Sequence, residues 1–324
     1  MSVVLSALTE RLRCRVEFDV SLAPFTTYRI GGPAAAVVHP ERPEDVEAAL
    51  RFAAESETRW LALGLGSNVL LADAGFDGIV LRLAQALGAL EQSVDGDETV
   101  WRAGAGFPTP QLARRSAKAG LGGVHRLIGV PGTVGGGVFM NAGAHAQDFS
   151  QVVRSVTLVD PSGEIRIVEG GEIPWKYRSS ELEGVVVDAT MQLTPKEPAR
   201  LEEEIRQHFA WRKAGTPFNE PCCGSVFRNP DAPALRLSHS PSETGGEREG
   251  GRAGGLRTAG RLIDACRLKG FRVGGAEVSP MHANYIVNTG DATARDVRKV
   301  IDHVWETVNK RFGVELELEV KIIE

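Results

Sequence analysis

The apolar positions of this chain fall into short periodic blocks, and the period of each block predicts an element. Arg15 to Val20 alternates apolar and polar in the manner of a strand. Pro43 opens a helix as its first residue, with Val46, Ala49, Leu50 and Ala53 on one face, and a strand Trp60 to Leu63 follows. Ile79 to Leu83 and Thr99 to Ala103 read as strands, and Pro110 to Ala119 as a helix with Leu112, Ala113 and Ala117 inward. Val152 to Val159, a Pro161-Ser162-Gly163 turn and Glu164 to Val168 predict a hairpin, followed by a strand Val185 to Leu193.

Pro195 and Pro198 mark a boundary, and Leu201 to Arg212 is a helix. Farther on, Thr293 caps a long helix with Asp296 three residues later. Its core face is Val297, Val300, Ile301, Val304, Trp305, Val308 and Phe312, and Gly313 ends it. Val314 to Ile323 alternates strictly, with Glu315, Glu317 and Glu319 on one side, so the period does not separate Glu319 from Glu315. Many strands and few helices before Pro195 predict an α+β architecture. The expected domains are 1–197 and 198–324. Strand 314–323 is expected to return to the first domain, and 236–258, with six glycines and many charges, reads as a mobile insertion.

Two glycine stretches interrupt these blocks. Between Gly129 and Gly143, six of fifteen residues are glycine, and nearly all the rest are apolar. Glycine brings bare backbone N–H groups against a ligand, and successive amides of that kind hold an anion. Flexible linkers are Ser-rich and polar; this run is apolar and reads as a cradle for a nucleotide. Gly64-Leu65-Gly66-Ser67-Asn68 is a second such loop, but it lacks the third glycine of a dinucleotide fingerprint and is not followed by a helix pattern. Ser225 follows a glycine, yet Phe227 stands where a nucleophile elbow needs its second glycine.

Composition removes several function classes. Of 324 residues, 42% are hydrophobic and 24% charged, the balance of a globular protein with a sizeable core. A net charge of −5 with no basic face argues against a nucleic-acid partner. No apolar run approaches membrane-spanning length, and Met1 to Arg11 reads as a short amphipathic helix, not a signal peptide. The four cysteines and seven histidines have no metal-ligand spacing, so no metal is expected, and reduced thiols point to the cytoplasm.

Seven separated segments, taken in order, resemble the flavin-dependent UDP-N-acetylenolpyruvoylglucosamine reductases. They are Thr26 to Pro33, Gly64 to Asn68, Gly129 to Gly143, Tyr177 to Ser180, Gly224 to Pro230, Gly274 to Ser279 and Leu316 to Val320. The resemblance implies a p-cresol methylhydroxylase-type FAD-binding domain followed by a smaller α+β substrate-binding domain. It implies NADPH-dependent, FAD-mediated reduction of the enolpyruvyl ether of UDP-N-acetylglucosamine to UDP-N-acetylmuramate.

By the same resemblance Arg178, Ser225 and Glu319 are catalytic, and Arg178 and Asn229 contact substrate. FAD falls to Tyr28, Arg29, Gly64, Gly66, Ser67, Asn68, Gly129, Gly132, Thr133, Gly135, Gly136, Asn141 and Gly143. The chain is similar to the family's shorter type, because no tyrosine-bearing loop lies between Arg178 and Val185. It departs from the family pattern at Gly215-Thr216-Pro217, at Cys222, at Leu318 and in the insertion. Two rival expectations stand beside this one: another flavin oxidase or dehydrogenase on the same cofactor fold, and a non-catalytic nucleotide-binding protein.

Overall fold

The computed structural model describes residues 7–84, 87–95, 98–230 and 258–324. All but the last residue of the expected insertion 236–258 therefore lies outside the described residues. The chain divides into two units. The first is built from residues 1–25, 32–67 and 74–214, the second from 26–31, 68–73 and 215–324.

In the first unit α1 (Leu8–Arg11) leads to β1 (Arg15–Ser21), β2 (Pro33–His39), α2 (Pro43–Glu55) and β3 (Trp60–Leu63). After β4 (Val69–Leu71), which belongs to the second unit, comes β5 (Phe76–Arg82). One sheet has the order β1-β2-β5-β3, with β1 antiparallel to β2 and the other two pairings parallel. Helix α2 buries Val46, Ala49, Leu50 and Ala53, the face its 3.6-residue period selects. Asp45 accepts from the Glu41 and Arg42 N–H groups at 2.9 and 3.2 Å, satisfying donors at its start.

The larger sheet draws on β6 (Leu90–Asp95), β7 (Glu98–Gly104), β8 (Leu121–Gly122), β11 (Val153–Val159), β12 (Ile165–Glu169) and β13 (Val185–Pro195). Its order is β12-β11-β13-β7-β6, with β8 beside the end of β13. Strand β13 explains why two apolar layers share one sheet. Val185 and Val187 pack in a core with Leu50, Ile79 and Leu81, while Val186, Ala189, Met191 and Leu193 pack in a second core with Trp101, Leu112 and Phe149. Successive side chains go to opposite faces. An extra residue at Val187, where the β11 partner steps from Asp188 to Val186, exchanges the faces midway, so β13 is buried on both sides.

This unit also holds α3 (Thr109–Lys118) and α4 (Val134–Phe139), with the hairpin β9 (Gly143–Ala144) and β10 (Gln147–Asp148) following α4. Helix α5 (Pro198–Gly215) lies in the first unit as far as Ala214, whereas the expected boundary at 197/198 put it in the second.

The second unit holds α6 (Ala259–Ala265), β14 (Arg272–Val273), β15 (Ala276–Val278), β16 (Ile286–Asn288), α7 (Ala294–Phe312) and β17 (Lys321–Ile323). Three antiparallel strands run β14-β15-β16, and β17 pairs in parallel with β4. Helix α7 keeps its sequence-expected ends. Thr293 accepts from the Asp296 N–H, Asp296 accepts from the Thr293 N–H, and Gly313 is left-handed at φ 64°. Asp73 adds a second cap by accepting from the Ala294 and Arg295 N–H groups at 2.7 and 3.1 Å.

Two expectations need correction. The central glycine run is not all loop: Gly135, Gly136 and Gly137 lie within α4. A Cβ on Gly135 would sit 2.7 Å from the Ala105 Cβ, and one on Gly137 would sit 2.4 Å from the Phe149 ring. Those two glycines let a helix pack closely, which outweighs their poor helix propensity. The other correction concerns 314–323, where regular strand is confined to β17. The alternation breaks at Leu318, which is exposed and bridged to Phe227, while Val320 is buried beside it.

Candidate functional site

In the first unit the two glycine loops meet. Gly132 has φ +121°, and a Cβ there would sit 3.0 Å from the Ser67 hydroxyl oxygen. At Gly64 a Cβ would sit 2.6 Å from Thr133 Oγ1. The Ser67 hydroxyl donates to the Pro131 carbonyl at 3.3 Å, and Gly66 is left-handed at φ 61°. Gly136 is exposed, with no atom nearer than 4.0 Å to the place of its missing Cβ. The two loops thus approach one another with no Cβ between them, Gly66, Gly132 and Thr133 buried and Gly136 exposed beside them.

Arg82, which the sequence reading missed, steadies the first of these loops. Its guanidinium donates to the Gly64 carbonyl and lies 5.1 Å from the Phe25 ring centroid, and burial lowers its pKa. Its place at the end of an apolar strand carries no sequence signal. Gly129 and Gly143 also allow close packing. A Cβ on Gly129 would meet the Arg212 side chain at 2.4 Å, and one on Gly143 would meet Asp148 Cβ, across the β9–β10 hairpin, at 2.7 Å.

Arg178 sits at the tip of a tight turn in the same unit. Lys176 and Ser179 exchange backbone hydrogen bonds at 2.8 and 3.2 Å, and Arg178 takes φ 59° with its guanidinium 4.9 Å from the Tyr177 ring centroid. The glycine segment anchors that turn. Asn141, buried and at φ 40°, donates its side-chain amide to the Lys176 carbonyl at 3.1 Å and accepts from the Ser150 N–H at 3.1 Å. Both the Ser180 N–H and hydroxyl donate to the Phe139 carbonyl, at 3.1 and 3.0 Å. The Asn141 amide, expected on the cofactor, is used inside the protein.

In the second unit the segment that follows Ser225 pairs with the segment that carries Glu319. Residues 225–228 run antiparallel to 317–320: the Glu319 N–H donates to the Val226 carbonyl at 2.8 Å, and the Arg228 N–H donates to the Glu317 carbonyl at 2.8 Å. Asn68 donates its side-chain amide to the Glu319 carbonyl at 3.0 Å, so Glu319 is held by its backbone on two sides. Glu315 and Glu317 are exposed while Glu319 is half-buried, a distinction absent from the sequence period.

Three further expected residues resolve differently. Tyr28 is a correction: it is fully buried in the core of the second unit, its hydroxyl donating to the Ile286 carbonyl at 2.8 Å, so it offers no surface to a cofactor. Arg29, at φ 56°, lines a small polar cavity of about 310 Å³ with Asn219, Glu220, Asn288 and Thr289. Asn229 is exposed, and its side-chain oxygen accepts from the Ala259 N–H at 3.2 Å, at the start of α6. Among the described residues no group of three or more His, Cys, Asp or Glu side chains could hold a metal ion, and no helix is long and apolar enough to cross a membrane.

Comparison with known proteins gives this geometry a context. Residues 34–169 match the family model described as FAD binding domain. Residues 216–323 match that of the UDP-N-acetylenolpyruvoylglucosamine reductase C-terminal domain. A UDP-N-acetylenolpyruvoylglucosamine reductase from Halalkalibacterium halodurans is 38% identical over 98% of this chain and 98% of its own. A second such protein, from Symbiobacterium thermophilum, is 40% identical over 98% of this chain and 97% of its own. The crystal structure of UDP-N-acetylenolpyruvylglucosamine reductase from Thermus caldophilus superposes with a TM-score of 0.75 at 32% identity, covering 96% of this chain and all of the other.

Proposed function

This chain belongs to the UDP-N-acetylenolpyruvoylglucosamine reductase family, and on that premise we propose that it is a flavin-dependent oxidoreductase that reduces the enolpyruvyl ether of UDP-N-acetylglucosamine to UDP-N-acetylmuramate, with NADPH as reductant. The observation that carries this reading is the end-to-end likeness to relatives of that name, at 38 and 40% identity. The meeting of the two glycine loops at Ser67 and Gly132 supports it, because glycine backbone lets amides approach the diphosphate of FAD. The reaction belongs to precursor synthesis for the bacterial cell wall, a cytoplasmic process.

Bound FAD would supply the hydride chemistry that links NADPH to the substrate's vinyl group. The remaining work falls to side chains. Arg178 binds the substrate carboxylate through two charge-assisted hydrogen bonds and stabilises the negative charge that spreads onto it. Ser225 delivers the proton that completes the saturated ether, acting as general acid. A serine hydroxyl is a weak acid, so its position matters more than its pKa. Glu319, one rung along the same strand pair, orients and polarises the enolpyruvyl group. Ser67, Gly64, Gly66, Gly132, Thr133 and Gly136 hold the cofactor's diphosphate.

A visible spectrum and two additions test the reading. The purified protein should be yellow, bleach with NADPH, and regain colour on addition of the enolpyruvyl UDP sugar in the absence of oxygen. A colourless protein with an intact fold, or one that recolours with oxygen alone and ignores the sugar nucleotide, would overturn it.

A further inference from the structure

We propose that Asn284 is a positioning residue for the reaction: its side chain takes the place of a missing strand and fixes the Ser225 segment in register with Glu319. The inference rests on the reading in which Ser225 and Glu319 act on the substrate, and it concerns a residue to which that reading gives no role.

The argument begins with the direction of backbone groups. Across the pair 225–228 and 317–320, the Val226 carbonyl and Arg228 N–H face the Glu317–Glu319 strand. Successive peptide groups alternate along a strand, so the N–H and C=O of Phe227 face the other edge. Among the described residues no strand pairs with Phe227 along that edge. Phe227 is 2% exposed, so water does not reach it either, and two orphaned buried groups would cost several kilocalories.

Asn284 satisfies both. Its Oδ1 accepts from the Phe227 N–H at 3.0 Å, and its Nδ2 donates to the Phe227 carbonyl at 2.8 Å. A carboxamide has one acceptor and one donor at peptide-like spacing, and this orientation alone matches the two groups it meets. The Asn284 carbonyl adds a third bond by accepting from the Val226 N–H at 2.9 Å. Asn284 is itself 4% exposed, which keeps the pairing free of competing water. The peptide joining Val226 to Phe227 is thus gripped by Asn284 on its N–H and by Glu319 on its carbonyl. A slip of one residue would turn the Ser225 side chain to the opposite face.

The substitution Asn284→Asp keeps the shape but replaces the donor with an oxygen facing the Phe227 carbonyl, and Asn284→Leu removes both partners. Each leaves the bond from Val226 in place. In stopped flow without oxygen, both variants should bleach with NADPH at a rate within about two-fold of the parent. Recolouring by the enolpyruvyl UDP sugar should slow by about 10- to 100-fold, the cost of a reacting group displaced by an ångström or less. Melting curves and flavin content are recorded alongside. Unchanged recolouring overturns the proposal, and so does an equal fall in both rates with lost flavin, which would mark a purely structural asparagine.

Amide exchange on the parent protein decides the matter without a variant. The Phe227 N–H should exchange as slowly as that of Glu319, and exchange at the rate of an exposed loop amide would refute the clamp. Failure of the underlying reading shows elsewhere, as a parent protein that never recolours with the sugar nucleotide.

Discussion

The side-chain amide of Asn141 donates to the carbonyl of Lys176 at 3.1 Å, tying the glycine segment to the turn that presents Arg178. The same side chain accepts from the Ser150 N–H, so one buried residue sets the distance between three pieces of backbone. Removing it in Asn141→Ala leaves the half-buried Ser150 N–H without its acceptor and frees the turn. We expect a loss of ~2 kcal/mol in a denaturant melt. Sugar-nucleotide turnover should fall more steeply than NADPH-driven bleaching. Parent-like stability would mean that the Arg178 turn holds itself.

Gly132 tests the meeting of the two glycine loops. At φ +121°, with a Cβ placed 3.0 Å from the Ser67 hydroxyl oxygen, a valine is both strained and in the way. Gly132→Val should purify folded but colourless or weakly yellow, with flavin binding weakened by about 100-fold or more, equivalent to ~3 kcal/mol. Gly313→Asn is the control, because Gly313 is left-handed with nothing within 4 Å and ends α7. Equal flavin content in both proteins would move the cofactor away from these loops.

The proposed chemistry divides residues by half-reaction. Arg178→Ala and Ser225→Ala should stay yellow and bleach with NADPH, yet recolour with the sugar nucleotide about 100-fold more slowly or worse. Glu319→Gln should follow them, whereas Glu315→Gln, a substitution on the exposed side of the same segment, should behave as the parent. Similar behaviour of the two glutamine variants in anaerobic recolouring would remove Glu319 from the mechanism.

A pH effect on stability follows from His125. Its ring is 1% exposed; Nδ1 accepts from the Gly123 N–H at 3.3 Å and Nε2 donates to Glu204 at 3.0 Å, which is the neutral tautomer. Burial lowers its pKa below the ordinary 6.5, against the opposing pull of Glu204. The unfolded chain therefore takes up the proton first as pH falls, and stability is lost progressively below pH 6.5. The bond from His125, joined by Arg126, lowers the Glu204 pKa from 4.5 to about 2, so its contribution is present above pH 4.5 and drains away toward pH 2. Thermal melts between roughly pH 8 and pH 5 should show a decline that His125→Gln flattens. A parallel decline in the variant would assign it to other groups.

How far these features could be read in advance depends on how local they are. Helix α7 was fully legible, because Thr293, Asp296 and Gly313 act within a few residues of themselves and its apolar face repeats with the helix. The two-sided burial of β13 was legible as an apolar run, though not as a partition between cores. Helix α4 was not legible, since Ala105 and Phe149 decide it from outside the segment. Tyr28 looked like part of a cofactor motif, yet its hydroxyl partner lies 258 residues away. Glu319 could not be told from Glu315 because the difference comes from Val226 and Asn68, which pin only one of the two.

The parallel pairing of β17 with β4 has a bearing on how the polypeptide reaches its final form. Val69–Leu71 emerges early during synthesis, but its neighbour Lys321–Ile323 arrives some 250 residues later, so an open strand edge must be shielded for most of translation. A gene fragment covering 215–324 would lack this edge partner, the Asp73 cap and the buried Tyr28, and the second unit can be expressed apart only by splicing residues 26–31 and 68–73 back into it.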